Sequence, residues 1–173
     1  MSPSTTNPVP INHVALSVQD IEATLKWYAE VFGFIQIGNV MHIKKSESPE
    51  NPIFVIYGDT LEEGKLAFMS TGSGTGFEIW EFVKPAFQKP DRDFEYARGG
   101  FYHIAVTDME PGRLVEKVVA KGGGIVGGAF KMPGDGGYFC QYVRDPWGNV
   151  VEIMNRSFDR VAAMTEMAQA GQS

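Results

Sequence analysis

The chain carries the same short sentence twice. Ile11-Asn12-His13-Val14-Ala15-Leu16-Ser17 aligns with Phe101-Tyr102-His103-Ile104-Ala105-Val106-Thr107 at an offset of 90 residues. Self-similarity at a fixed offset means that one supersecondary unit is used more than once, which removes most single-unit folds at a stroke. The chain has only three histidines, and two of them fall at the same place in the two copies. The third, His42, reads as an exposed position on a strand.

The segments after the two copies are also alike. After the first, Asp20 can cap a helix whose apolar residues Ile21, Leu25, Trp27, Tyr28, Val31 and Phe32 share a face, and Gly33 ends it. After the second, Glu110 to Lys121 repeats the pattern with Pro111 in its first turn and Gly122-Gly123-Gly124 as its stop. Three strand-like runs come next, Ile125 to Phe130, Tyr138 to Arg144 and Asn149 to Met154. Their counterparts are Phe34 to Ile43, Lys65 to Ser70 and Phe77 to Phe82. The fold class is therefore α+β, two tandem βαβββ modules. The boundaries read as an arm over 1–9, a first module over 10–83 with an insertion at 44–64, a linker over 84–100, a second module over 101–157 and a helical tail over 158–173. Within the insertion, Ile53 to Tyr57 is apolar and β-branched enough for a strand, yet has no counterpart in the second copy. Thr71 to Gly76 reads as a hairpin turn, and Met132 to Gly137 as a lid or a connection.

Strand side chains alternate between faces. If Val14 and Leu16 face the helix layer, His13, Ala15 and Ser17 face away; Ile104 and Val106 turn His103, Ala105 and Thr107 the same way. Phe77 and Ile79 bracket Glu78, and Val151 and Ile153 bracket Glu152. Each module thus offers one imidazole and one carboxylate on its concave face, a mixed N/O set suited to a borderline divalent ion. Trp80 and Phe82 share the face of Glu78, and Met154 that of Glu152, so they are expected to wall a substrate pocket. Glu81 lies on the opposite face and reads as a solvated charge.

The paired His-Val-Ala and His-Ile-Ala strands, the Asp145-Pro146-Trp147-Gly148-Asn149-Val150-Val151-Glu152 segment and the doubled βαβββ unit resemble the vicinal oxygen chelate superfamily over about residues 10 to 157. The order His, Glu, His, Glu is similar to the glyoxalase I branch. That resemblance implies His13, Glu78, His103 and Glu152 as metal ligands, a divalent ion such as Zn, Ni, Mn or Fe, and a homodimer with sites shared between subunits. It also implies lyase or isomerase chemistry, in which an ion holding two vicinal substrate oxygens acidifies the adjacent C–H. Glu152 is then the base, with Glu78 a ligand and second proton carrier. Ser17 and Phe82 stand where the branch places groups that hold glutathione, and Arg98 falls five residues before His103 rather than four. These departures point to a small, apolar or aromatic substrate other than a glutathione adduct. Two readings stand beside this one: an Fe(II) dioxygenase using two His and one Glu, and a resistance protein that sequesters a small molecule.

Composition excludes other classes. A net charge of -6 with no run of basic residues argues against binding nucleic-acid phosphates. No apolar run approaches the length of a membrane span, and 1–10 lacks the apolar stretch of a secretory signal. A single cysteine, Cys140, in a strand-like setting fits a reducing, cytoplasmic compartment.

Overall fold

A computed structural model describes residues 7–89, 94–132 and 137–170. The chain divides into two units, 1–88 and 89–173, with the break inside the expected linker. The first unit runs β1 (His13–Ser17), α1 (Ile21–Phe32), β2 (Ile35–Lys44), α2 (Ile53–Tyr57), β3 (Glu63–Ser70) and β4 (Gly76–Lys84). The second runs β5 (Ile104–Thr107), α3 (Pro111–Ala120), β6 (Gly124–Met132), β7 (Tyr138–Arg144), β8 (Val150–Met154) and α4 (Phe158–Ala170). Each unit holds one four-stranded mixed sheet, ordered β1-β4-β3-β2 and β5-β8-β7-β6, with one parallel pair in each. The expected lid falls partly on residues 133–136, outside the described residues, as do 1–6 of the expected arm. No helix among the described residues is long and apolar enough to cross a membrane.

α1 forms where its caps and apolar stripe coincide. The Asp20 carboxylate accepts from Ala23 N at 3.0 Å, and Gly33 closes the helix in the left-handed region at φ 72°. Ile21, Leu25, Trp27, Tyr28 and Val31 are buried, and the Tyr28 ring sits 4.9 Å from that of Phe77 on β4. Glu81 departs from the expected solvated charge. It projects to this same helix side of β4, where Oε2 accepts from Ile21 N at 2.9 Å and Oε1 from Lys65 Nζ at 2.8 Å. An anion there satisfies an orphan donor of the first helical turn, and its hydrogen bond holds the Lys65 ammonium above its ordinary pKa.

In the second unit Val118 of α3 is fully buried against the sheet. The return from α3 into β6 requires glycine at 123, since a Cβ there would lie 2.6 Å from both Arg144 O and Val118 Cγ1. The turn into β8 is held by Asp145, 2 % exposed, which accepts from Trp147 N, Asn149 N and Asn149 Nδ2 at 2.9, 2.8 and 2.8 Å. That turn fixes the β7–β8 register, in which Tyr142 faces Glu152 and Cys140 faces Met154.

The two sheets match to the level of their irregularities. The β2–β3 pairing shifts between Ile37 and Met41, and the β6–β7 pairing between Val126 and Phe130. Each shift begins at a glycine with positive φ, Gly38 at 69° and Gly127 at 65°. The insertion breaks this match. Its apolar run Ile53–Tyr57 is a short helix rather than a strand, because Asn51 Oδ1 accepts from Ile53 N and Asn51 O from Phe54 N at its start. α2 packs Phe54 into a cluster with Ile43, Leu61, Leu66 and Trp80, with Tyr57 and Phe82 at its edge.

Candidate functional site

In the first unit, β1 and β4 run parallel with Ala15 opposite Glu78 and His13 opposite Gly76. Gly76 makes room for the imidazole: a Cβ there would stand 3.1 Å from His13 Cβ. The exposed His13 has Nδ1 2.8 Å from Asn12 Oδ1. With the proton on Nδ1, that bond leaves the Nε2 lone pair available. Glu78 is half-buried and accepts at Oε1 from Trp80 Nε1 at 2.6 Å, which leaves Oε2 available.

The second unit repeats the diagonal. β5 and β8 run parallel with Ala105 opposite Glu152, and His103 lies two residues before Ala105, as His13 lies two before Ala15. Here the two groups meet: His103 Nε2 is 3.2 Å from Glu152 Oε2. Both side chains are largely shielded, at 22 % and 14 % exposed. The other carboxylate oxygen, Oε1, accepts from Cys140 Sγ at 2.8 Å. Burial first, then the bond to Glu152, pushes the Cys140 thiol up to about 12, so it keeps its proton at neutral pH. Tyr142, opposite Glu152, is raised by burial and then by that carboxylate; Tyr138 is pushed up to about 12 chiefly by burial. Tyr102 and Tyr142 flank the His103 ring at 4.6 and 5.2 Å between centroids, and Phe94 lies 5.7 Å from Tyr142. Sequence reasoning misses this aromatic surround and the role of Cys140. Alternation puts Cys140, Tyr142 and Glu152 on one face, but which of them touch depends on the cross-strand register.

The donors fit an ion in part of the set. Ligand atoms about 2.0–2.2 Å from one ion stand about 3 Å apart when adjacent, and the 3.2 Å between His103 Nε2 and Glu152 Oε2 matches that spacing. His103 Nδ1 is buried without a partner among the described residues, where a ligating histidine ordinarily donates its second N–H. Among the described residues no three His, Cys, Asp or Glu side chains gather as a metal cluster.

The expected pocket residues separate. Trp80 is 2 % exposed beneath α2, its ring stacked on Phe82 at 5.2 Å and 5°, so it packs and orients Glu78 rather than walling an open pocket. Met154 is likewise 6 % exposed and accepts from the Tyr138 hydroxyl at 3.5 Å. Phe82 is partly buried against the same cluster. Ser17 is exposed at the end of β1, opposite Trp80. Arg98 is 74 % exposed and pairs with Glu95 at 3.3 Å. His42 is exposed on β2, 2.7 Å from Glu63. The apolar groups that stay open beside Glu78 are Phe68, directly opposite it on β3, and Ile37 opposite Phe68 on β2.

Comparison with known proteins gives this arrangement its place. A family model for the glyoxalase/bleomycin resistance protein/dioxygenase superfamily matches residues 10–153. The chain belongs to that superfamily. A lactoylglutathione lyase from Arabidopsis thaliana is 28% identical over 144 residues, covering 83% of this chain and 43% of the plant protein. The chain thus spans less than half the length of that relative. A glyoxalase family protein from Bacillus cereus aligns with a TM-score of 0.69 at 15% identity, over 87% of this chain and 96% of that one. The trypanothione-dependent glyoxalase I of Leishmania major aligns with a TM-score of 0.58 at 17% identity, over 96% and 100%. At such identities these structures speak to fold alone. The two four-stranded mixed sheets are those of the superfamily, and both repeated histidines fall inside its matched region.

Proposed function

We propose that this chain is a metal-dependent lyase or isomerase of the glyoxalase type, acting on a small substrate with two vicinal oxygens. His13, Glu78, His103 and Glu152 would hold the ion. The observation that carries the reading is the 3.2 Å approach of His103 Nε2 to Glu152 Oε2, made on the diagonal that His13 and Glu78 also occupy. When bound, a divalent ion supplies Lewis-acid polarisation of the substrate oxygens. The chain's own contribution is proton transfer and positioning. Glu78 accepts from a strong N–H donor, whereas Glu152 is oriented by a thiol, a weaker donor, and by His103 Nε2, and is the carboxylate we assign to carry a proton to and from carbon. Phe68 and Ile37 present apolar surface beside Glu78, which favours a substrate with an apolar or aromatic body.

Glutathione recognition is not expected. Ser17 offers no cation, and Arg98 is already paired with Glu95. Purified, metal-loaded protein should turn over the methylglyoxal–glutathione hemithioacetal with kcat/KM below about 10⁴ M⁻¹s⁻¹, the lower end of ordinary enzymes. A lactoylglutathione assay above that value would return the tripeptide to the substrate list.

The four candidate ligands come from two units, so a complete set needs one unit of each kind. We favour a homodimer that shares its sites, on the strength of the superfamily resemblance. Mixing a His13→Ala chain with a Glu152→Ala chain then yields one intact and one doubly damaged site per heterodimer, and activity should return. No recovery after confirmed subunit exchange would place each site within one chain.

A further inference from the structure

The two candidate carboxylates are each held to their own sheet through Oε1, but the donor comes from different strands. In the first unit Trp80, on the same strand as Glu78, donates to Oε1 at 2.6 Å, and the residue opposite Trp80 is the apolar Leu66. In the second unit the place of Trp80 is taken by Met154, which has no N–H or O–H to give, and the residue opposite it, at the place of Leu66, is Cys140. Cys140 Sγ donates to Glu152 Oε1 at 2.8 Å. Each unit therefore has one donor and one apolar residue at this cross-strand pair, and the two have traded strands. Both arrangements tie Oε1 of the carboxylate to its own sheet, and in the second unit Oε2 lies beside His103 Nε2.

We propose that Cys140 is a positioning residue, whose thiol fixes the rotation of the Glu152 carboxylate so that Oε2 is presented beside His103 Nε2 for metal binding. This rests on the metal reading above. Cys140 acts through Glu152 and is not itself a ligand: its sulfur is turned to Oε1, while Oε2 is the oxygen beside His103. Without the thiol the contact with His103 at Oε2 is the remaining restraint described on the carboxylate, and the ion would have to restrict more of its rotation on binding. Removing a hydrogen-bonding partner of a ligand typically lowers metal affinity about 10- to 100-fold.

The test is titration calorimetry of Ni²⁺ into the metal-free protein. Cys140→Val, which removes the donor while keeping a side chain of similar bulk, should weaken Ni²⁺ binding about ten-fold or more. Cys140→Ser, which restores a hydroxyl donor, should return affinity to within about three-fold of the parent, since a hydroxyl donates at least as well as a thiol. Thermal unfolding of the metal-free proteins separates positioning from damage to the fold, and Cys140→Ala replaces the valine variant if that one melts early. The Co²⁺ form of the parent should show no sulfur-to-cobalt charge-transfer band. Unchanged Ni²⁺ affinity in a folded donor-free variant would overturn the proposal. So would a serine variant as weak as the valine one, or a charge-transfer band marking Cys140 as a ligand. A parent protein that binds neither ion would instead remove the metal reading itself, and this inference with it.

Discussion

His103→Ala should abolish stoichiometric binding of divalent metal while the chain stays folded. The imidazole supplies Nε2 beside Glu152 Oε2, and its loss leaves a lone carboxylate in the second unit. Because changing the neighbour of a ligand already costs about 10–100-fold in affinity, losing the ligand should cost more than about 100-fold. The fold has little to lose. The ring forfeits edge contacts with Tyr102 and Tyr142, worth about 0.5–1.5 kcal/mol in such pairs, but the substitution also deletes a buried Nδ1 with no partner among the described residues. His13 is exposed, so His13→Ala should leave stability nearly unchanged and act on the metal alone. Elemental analysis of the purified variants, read against thermal melts, checks both. Full metal occupancy in either would falsify the ligand assignment.

Trp80→Ala should produce the largest loss of stability. The indole is 2 % exposed and fills the space between the sheet and α2, against Phe54, Leu61 and Leu66 with Tyr57 5.5 Å away. Truncating such a residue costs about 3–5 kcal/mol, a large share of the roughly 5–15 kcal/mol that holds a domain folded. It also frees Glu78 Oε1. Trp80→Phe keeps most of the packing and loses only the N–H, so it should retain the fold while loosening Glu78. Urea unfolding of the two variants separates these effects. An alanine variant as stable as the parent would mean that α2 does not rest on this ring.

The parts legible in the sequence are those set by local rules. Alternation within β1, β4 and β8 is enough to turn His13, Glu78 and Glu152 to one face of their strands, and the same rule carried one residue before β5 places His103. The Asp20 and Gly33 caps fix α1 to the residue. The parts that escape are set by partners far along the chain. Five apolar residues, Ile53–Tyr57, are too few for periodicity to separate strand from helix, and without knowing where they land, Trp80 looks like an open wall instead of a floor. Glu81 looks solvated for the same reason, because nothing near it in sequence announces that Ile21 N and Lys65 will meet it. Cys140 reads as an inert strand residue until the Asp145 turn sets its register against β8.

The glycine-centred shifts at Gly38 and Gly127 bear on how this chain behaves in a crowded solution. β2 and β6 are the longer of the two edge strands of their sheets, ten and nine residues long, and both expose apolar side chains: Ile35, Ile37 and Met41 on one, Ile125 and Phe130 on the other. A long, flat, apolar edge is a template on which another strand can add. A shift in mid-strand twists the edge and interrupts its even row of free N–H and C=O groups, so a second chain finds only two short, misaligned stretches to pair with. The same irregularity in both sheets thus shortens the even stretch on which another strand could add.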